Sequence, residues 1–202
     1  KNNPRTKLFY RVPKGVSDAF NFGIKCSSGK FIIFLNSDDS LYDRNILRDA
    51  SIFLRNNPKL DWIYGKINVV EENGEKVGIF PKWKIFQISW KYLLKYINFI
   101  PHQAVFMKRE VFGKFGNFDI SLRTSMDLDL WLRIAPQTNW IFFDRILSNY
   151  SLRSGSVSSN INNKDLALKN QEKVKLRYLN RFELFFAKMV DWLVDMVNKT
   201  YR

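Results

Sequence analysis

The sequence predicts an α/β fold, a mixed and mostly parallel sheet flanked by helices, and three observations carry that expectation. Residues 31–35, Phe-Ile-Ile-Phe-Leu, are apolar without alternation. That is the pattern of a strand covered on both faces, found mainly in sheets sandwiched between helices. The run then stops in Asn36-Ser37-Asp38-Asp39, a cluster of side-chain oxygens, and open α/β sheets receive their ligands at the carboxyl ends of their strands. Finally, 202 residues that are 46% hydrophobic suffice to bury one ordinary core, with some chain left over as an appendage.

In chain order, residues 7–11 offer one short strand candidate. Val16 to Ile24 reads as a helix with Ser17 or Asp18 near its start, and Cys26-Ser27-Ser28-Gly29 as a small-residue turn into the strand at 31–35. The two carboxylates and the amide at its end can hold a hard divalent cation, which prefers oxygen ligands and bridges to phosphates. A second reading makes Ser37 or Asp38 the cap of a following helix. Residues 45–56 read as that helix, closed by Asn57-Pro58, and 60–64 as a strand ending at Gly65. Residues 66–70 and 76–79 flank an Asn73-Gly74 turn and read as a hairpin. Residues 86–99 interleave aromatic residues with Lys91 and Lys95, as a surface helix would. Residues 101–107 read as a strand entered through His102, the only histidine, and 108–112 as the start of a short helix. Gly116 to Asp119 is a loop, after which Ser125 is placed to cap a helix with Asp127 in its first turn and Leu128, Leu130, Trp131 and Ile134 on its apolar side.

Three ordered segments carry a family resemblance: Gly15-Val-Ser-Asp18-Ala-Phe-Asn21-Phe-Gly-Ile24, the strand ending in Asn36-Ser-Asp-Asp39, and Met126-Asp-Leu-Asp-Leu-Trp-Leu-Arg133. Together they resemble the family 2 glycosyltransferases of the GT-A fold, whose strand ends in an Asp-x-Asp motif and whose second acidic motif opens a helix. The resemblance spans about residues 10–158 and divides the chain into a glycosyltransferase domain, 1–158, and a helical extension, 159–202. It also implies that the domain lacks its first strands, because residues 1–12 are too few for the initial βαβ unit, which needs roughly 30 residues.

The resemblance further implies inverting transfer of a sugar from a nucleoside-diphosphate sugar to a saccharide or lipid-linked acceptor, in bacterial surface polysaccharide or glycolipid synthesis. Mn²⁺ or Mg²⁺ would sit on Asp38 and Asp39. Asp127 would be the general base, because the carboxylate that takes the acceptor's proton should not also be the one that holds the metal. Asp18, Asn21 and Asn36 would face the nucleotide, and His102, Gln103 and Asp129 the sugar or acceptor. Two positions depart from the family pattern. Asn36 replaces the first aspartate, and in the terminal motif Tyr150-Ser-Leu-Arg153-Ser-Gly-Ser-Val-Ser158 an arginine replaces histidine. Arg153 cannot ligate a metal but can pair bidentately with a diphosphate.

A formal net charge of +14 calls for an anionic partner: nucleotide or lipid-linked phosphates, or an anionic membrane surface. Nucleic acid is not expected, since the basic residues are dispersed and no helix-turn-helix, zinc or RNA-binding signature is present. One cysteine rules out an internal disulfide framework, and the absence of a signal segment or long apolar span points to a cytoplasmic chain, peripheral at the membrane at most. From residue 182 on, Phe182, Phe185, Phe186, Met189, Val190, Leu193, Met196 and Val197 recur at helical spacing. Such a helix covers the core, joins a second subunit in a homo-oligomer, or lies on lipid. An inactive or assembly subunit derived from a glycosyltransferase is the alternative to an enzyme, with a basic nucleic-acid-binding module the lesser one.

Overall fold

The computed structural model describes residues 6–82, 92–153 and 161–200, with the side chains of 161–164, 194, 195 and 197–200 set aside. Six strands and six α-helices alternate within these residues: α1 (Val16–Cys26), β1 (Phe31–Ile32), β2 (Ser40–Leu41), α2 (Ile46–Asn56), β3 (Trp62–Glu71), β4 (Lys76–Phe80), β5 (Val105–Lys108), α3 (Arg109–Phe115), α4 (Met126–Ile134), β6 (Trp140–Leu152), α5 (Ile161–Tyr178) and α6 (Arg181–Thr200). The sheet order is β1-β5-β3-β6-β2, with β4 added alongside β3.

The mixed α/β class holds, but the strand directions differ from the expected parallel majority. Among the described residues only β3 and β6 run parallel, whereas β1·β5, β5·β3, β3·β4 and β2·β6 are antiparallel. Parallel neighbours need a long crossover, and the one that joins β3's neighbourhood to β6 carries α3 and α4. The β3–β4 link is instead a tight hairpin, with Gly74 at φ +85° in the turn.

The apolar run at 31–35 is divided between two cores, as a strand covered on both faces should be. Ile32 and Phe34 pack in a cluster with α1, α3 and α4, while Phe31 and Ile33 pack in a second cluster beneath α2, around Ile46, Ala50 and Leu54. Ladder pairing is limited to Phe31 and Ile32, because β5 is the strand's one partner among the described residues. Residues 7–11 form no strand.

Gly65 does not end its strand. A Cβ there would lie 2.6 Å from both the Arg145 carbonyl oxygen and Leu147 Cδ1, so glycine lets β6 approach closely and β3 runs on through Glu71. β6 itself has no counterpart in the sequence reading, yet it is β3's partner along nearly its whole length. Trp62 stacks between Trp131 of α4 and Trp140 of β6, with ring centroids at 5.4 and 4.7 Å, and its indole N–H donates to Thr138 at 2.9 Å.

The expected surface helix at 86–99 lies partly outside the described residues. Within them Leu93–Lys95 is a single 3₁₀ turn, with Leu94 and Phe99 fully buried. A second 3₁₀ turn, His102–Ala104, replaces the start of the strand expected from residue 101. Val174 of α5, Leu179 in the link after it and Ala187 of α6 join the first cluster. No helix among the described residues is long and apolar enough to cross a membrane.

Candidate active site

Three elements bring their ends together on one side of the sheet. The turn after β1 carries Asn36 to Asp39, the 3₁₀ turn before β5 carries His102 and Gln103, and the first turn of α4 carries Asp127. Asn36 uses both hydrogens of its amide: Nδ2 donates to Asp39 Oδ2 at 2.8 Å and lies 3.4 Å from His102 Nε2. An Nε2 that accepts from Asn36 leaves the imidazole proton on Nδ1. Nδ1 in turn faces Asp127 Oδ2 at 4.0 Å. The result is a polar chain, Asp39–Asn36–His102–Asp127, linking residues 91 positions apart in sequence. Its floor is aromatic, since the Phe20 ring stacks on Phe34 at 4.5 Å and lies 5.6 Å from the His102 ring.

The electrostatics follow from burial. Burial pushes the Asp39 carboxyl above its ordinary range, against hydrogen bonds from the Ser151 N–H and the Asn36 and Gln103 amides, and Asp38 raises it further. Burial also pushes the His102 imidazole below its ordinary 6.5, against the pull of Asp127 and Asp39. His102 is therefore neutral at pH 7, an acceptor on one nitrogen and a donor on the other. Asp127 accepts the Leu128 N–H on Oδ1 at 2.8 Å, which leaves Oδ2 to face the site. Ser125 precedes this helix in the left-handed conformation, φ 59°, and its side chain makes no cap bond, unlike the capping role expected for it.

Asp38 is half-buried and makes no hydrogen bond or ion pair with the described residues. The capping alternative for Ser37 and Asp38 is not realised, because β2 intervenes and α2 begins at Ile46, where Asp43 accepts the Asn45 N–H at 2.6 Å. No group of three acidic or histidine side chains among the described residues is placed to hold a cation unaided. A Mg²⁺-like ion often takes one or two carboxylates and completes its shell with water and substrate phosphates. The pair at 38 and 39 fits that manner of binding: Asp38 is a carboxylate available to an ion, and Asp39 beside it is tied to Asn36 and Ser151.

Other expected site residues are placed elsewhere. The Asn21 amide is satisfied on both ends by Phe118, donating to its carbonyl at 2.9 Å and accepting its N–H at 3.0 Å. Asp18 pairs with Arg11 at 3.2 Å. The neighbouring Ser17 hydroxyl donates to the Leu122 carbonyl at 3.1 Å and contacts Met126 Sδ at 2.9 Å, so this face of α1 holds the segment leading into α4. Asp129 lies with Tyr178 and two arginines, its side chain only 3% exposed. It accepts from Arg177 at 2.8 Å, Tyr178 Oη at 3.1 Å and Arg133 at 3.3 Å. Arg133 also binds the Phe115, Gly116 and Asn117 carbonyls, and Arg177 reaches Asp119. Nothing in the sequence links a site near 129 to Arg177 and Tyr178, on a helix 48 residues on, and Asp119 reads there only as part of a loop.

Arg153 follows β6, exposed, two residues after the Ser151 N–H that donates to Asp39 at 3.3 Å. The rest of the terminal motif, residues 154–158, and with it the expected domain boundary, lies outside the described residues.

Comparisons with known proteins bear on the family and the fold. The family model described as glycosyl transferase family 2 matches residues 1–116, ending just before the loop that leads to α4. A PGL/p-HBAD biosynthesis glycosyltransferase of Mycobacterium tuberculosis is 29% identical over 120 residues, 59% of this chain and 43% of its own length. An uncharacterized glycosyltransferase of Rickettsia conorii is 28% identical over 165 residues, 79% of this chain and 27% of its own. Among solved structures, residues 1–349 of S. aureus TarS in complex with UDP-GlcNAc superpose with a TM-score of 0.56 at 17% identity, over 83% of this chain and 53% of that one. The chain spans less than half the length of these curated relatives, and the likeness to TarS concerns the fold, a mixed sheet flanked by helices of the GT-A type.

Proposed function

The chain belongs to glycosyl transferase family 2, and from that premise we propose that it carries the reaction centre of an enzyme transferring a sugar, with inversion, from a nucleoside-diphosphate sugar to a hydroxyl acceptor in glycan or glycolipid synthesis. The observation that carries this reading is the convergence of the acidic turn, His102 and Asp127 beside the carboxylate of Asp38. In this reading Asp38 would meet phosphate and metal, and Asp127 the acceptor hydroxyl.

In the proposed reaction the acceptor oxygen bonds to the anomeric carbon while the bond from that carbon to the diphosphate oxygen breaks. The electron pair leaves with the nucleoside diphosphate, and the acceptor's proton passes to Asp127 Oδ2. Neutral His102, whose Nδ1 faces Asp127 Oδ2 at 4.0 Å, orients that carboxylate, and Asn36 holds His102 in the required tautomer. Mg²⁺ or Mn²⁺ on Asp38 would neutralise charge developing on the leaving diphosphate. Arg153, two residues beyond the Ser151 N–H that holds Asp39, would add a bidentate phosphate contact. Gln103 keeps Asp39 in place, and Asp39 in turn fixes the turn that presents Asp38. The relatives' names, PGL/p-HBAD biosynthesis and a TarS complex with UDP-GlcNAc, support a sugar nucleotide such as a UDP-sugar as donor.

The test is calorimetric titration of UDP into the protein with Mn²⁺, with EDTA, and in the Asp38→Asn variant. Binding that needs both Mn²⁺ and Asp38 is expected, with the far-ultraviolet circular dichroism of the variant unchanged. UDP affinity that ignores the substitution would remove Asp38 from the site.

A further inference from the structure

Helix α6 has two apolar faces, and only one of them is used. Its inner side places Ala187 and Leu184 against the first core cluster. The carboxylates at 183 and 191 are drawn to the same side: Glu183 bonds Lys95 at 2.6 Å, and Asp191 bonds the buried Lys175 at 2.8 Å. The opposite side carries Phe182, Phe185, Met189, Trp192 and Leu193, which are 71, 66, 41, 62 and 40% exposed. At 3.6 residues per turn these five fall within an arc of about 100°. A stripe of that width, with two phenylalanines and a tryptophan facing water, is far from the scattered exposed apolar residues of an ordinary surface.

Charge decides what the stripe fits. Arg181 and Lys188 are exposed and border one edge of it. Lys188 bonds Glu172 of α5 at 2.8 Å, and one turn to either side of Glu172 stand the exposed Leu168 and Leu176, which extend the apolar surface across the α5–α6 pair. Exposed Lys169 and Lys173 lie on α5 beside them. The outer side is thus apolar and aromatic with a cationic border, while Glu183 and Asp191 are turned inward and paired. An amphipathic helix of this composition lies in the interface of a bilayer with its apolar side among the acyl chains and its cations at the headgroups. A second copy of the chain would fit the stripe poorly, because it brings the same cationic border and the same formal net charge of +14.

We infer that the outer face of α6 docks on an anionic lipid surface. This inference stands apart from the proposed chemistry, since nothing in it depends on the acidic turn or on Asp127. Asp191 does not oppose this docking, because it pairs with the buried Lys175 on the inner side of the helix.

The experiment is co-sedimentation of the whole chain with phosphatidylcholine vesicles, with and without phosphatidylglycerol. Partition into the anionic vesicles is expected to be tighter than into the neutral ones and to weaken as salt shortens the screening length. The double variant Phe185→Ser/Trp192→Ser should lose roughly tenfold or more in partition. Arg181→Gln/Lys188→Gln should lose roughly 25-fold on anionic vesicles alone, about fivefold per cation. All four positions are exposed, and thermal melting checks that the variants stay folded. Equal binding of variants and wild type, salt-indifferent binding to neutral vesicles, or no binding would overturn the inference. A lipid-free dimer in sedimentation equilibrium that the Phe185/Trp192 variant dissociates would assign the stripe to a second copy instead.

Discussion

Asp127 and Asp129 are two residues apart on α4 and differ in everything that decides a carboxylate's role. Asp127 keeps one oxygen facing His102, while Asp129 is enclosed by Arg177, Arg133 and Tyr178. The two substitutions should therefore fail in different ways. Asp127→Asn is expected to lower turnover by roughly two to four orders of magnitude, the range for a positioned acid–base group, with UDP binding and melting temperature unchanged. Asp129→Asn removes charge-assisted hydrogen bonds from a buried site and is expected to cost roughly 2 to 3 kcal/mol of stability. Urea unfolding measures the second effect, and steady-state rates measured well below the melting temperature measure the first. The sequence shows both aspartates and the helix that bears them. It does not show which one turns inward, because that choice depends on arginine and tyrosine side chains of α5 far along the chain.

At the scale of elements, α5 braces the region that presents Asp127. Arg177 joins Asp119, in the loop before α4, to Asp129 within it, at 2.8 Å each. Burial alone would raise the Asp119 carboxyl, but hydrogen bonds from Ser121 and from the Arg177 guanidinium bring it down to about 2. A carboxyl whose folded pKa lies below its unfolded value contributes stability above the unfolded pKa and loses it as pH falls toward the folded one. Arg177→Met should thus lower the urea midpoint most at neutral pH. The wild type's margin over it should shrink as pH is brought from about 5 toward about 3. A margin that stays constant over that range would mean that the pair contributes nothing through Asp119's charge. Glycines act at this scale as well. Gly116, at φ +86°, ends α3 and offers its carbonyl to Arg133, so one residue both turns the chain and anchors α4.

For the molecule as a whole, β3 is the axis. Its first residues are paired on both sides, with β5 and β6, and its later ones with β4 and β6, while helices cover both faces. Amides so enclosed open only with large-scale unfolding. Native-state hydrogen exchange is expected to be slowest at Trp62, Ile63 and Tyr64 and in the β6 residues paired with them. Residues 6–15, exposed and without regular structure, should exchange at once. Protection of 6–15 comparable to that of β3 would show a pairing of that segment in solution.

The sequence by itself determined the α/β class, the helices near 16–26, 46–56 and 126–134, the Asn73-Gly74 hairpin and the acidic turn. These follow from local periodicity, turn chemistry and motif order, each contained within a few neighbouring residues. Only the tertiary structure decided that β3 passes through Gly65, that β6 runs parallel to it, that Asn21 clamps Phe118 and that Asp129 is a buried anchor. It alone also brings His102 between Asn36 and Asp127, and pairs Glu183 and Asp191 of α6 with Lys95 and Lys175 while leaving Phe182, Phe185 and Trp192 outside. Each of those outcomes depends on residues dozens of positions apart meeting across the sheet, and a single strand or helix pattern carries no record of which partner it will meet.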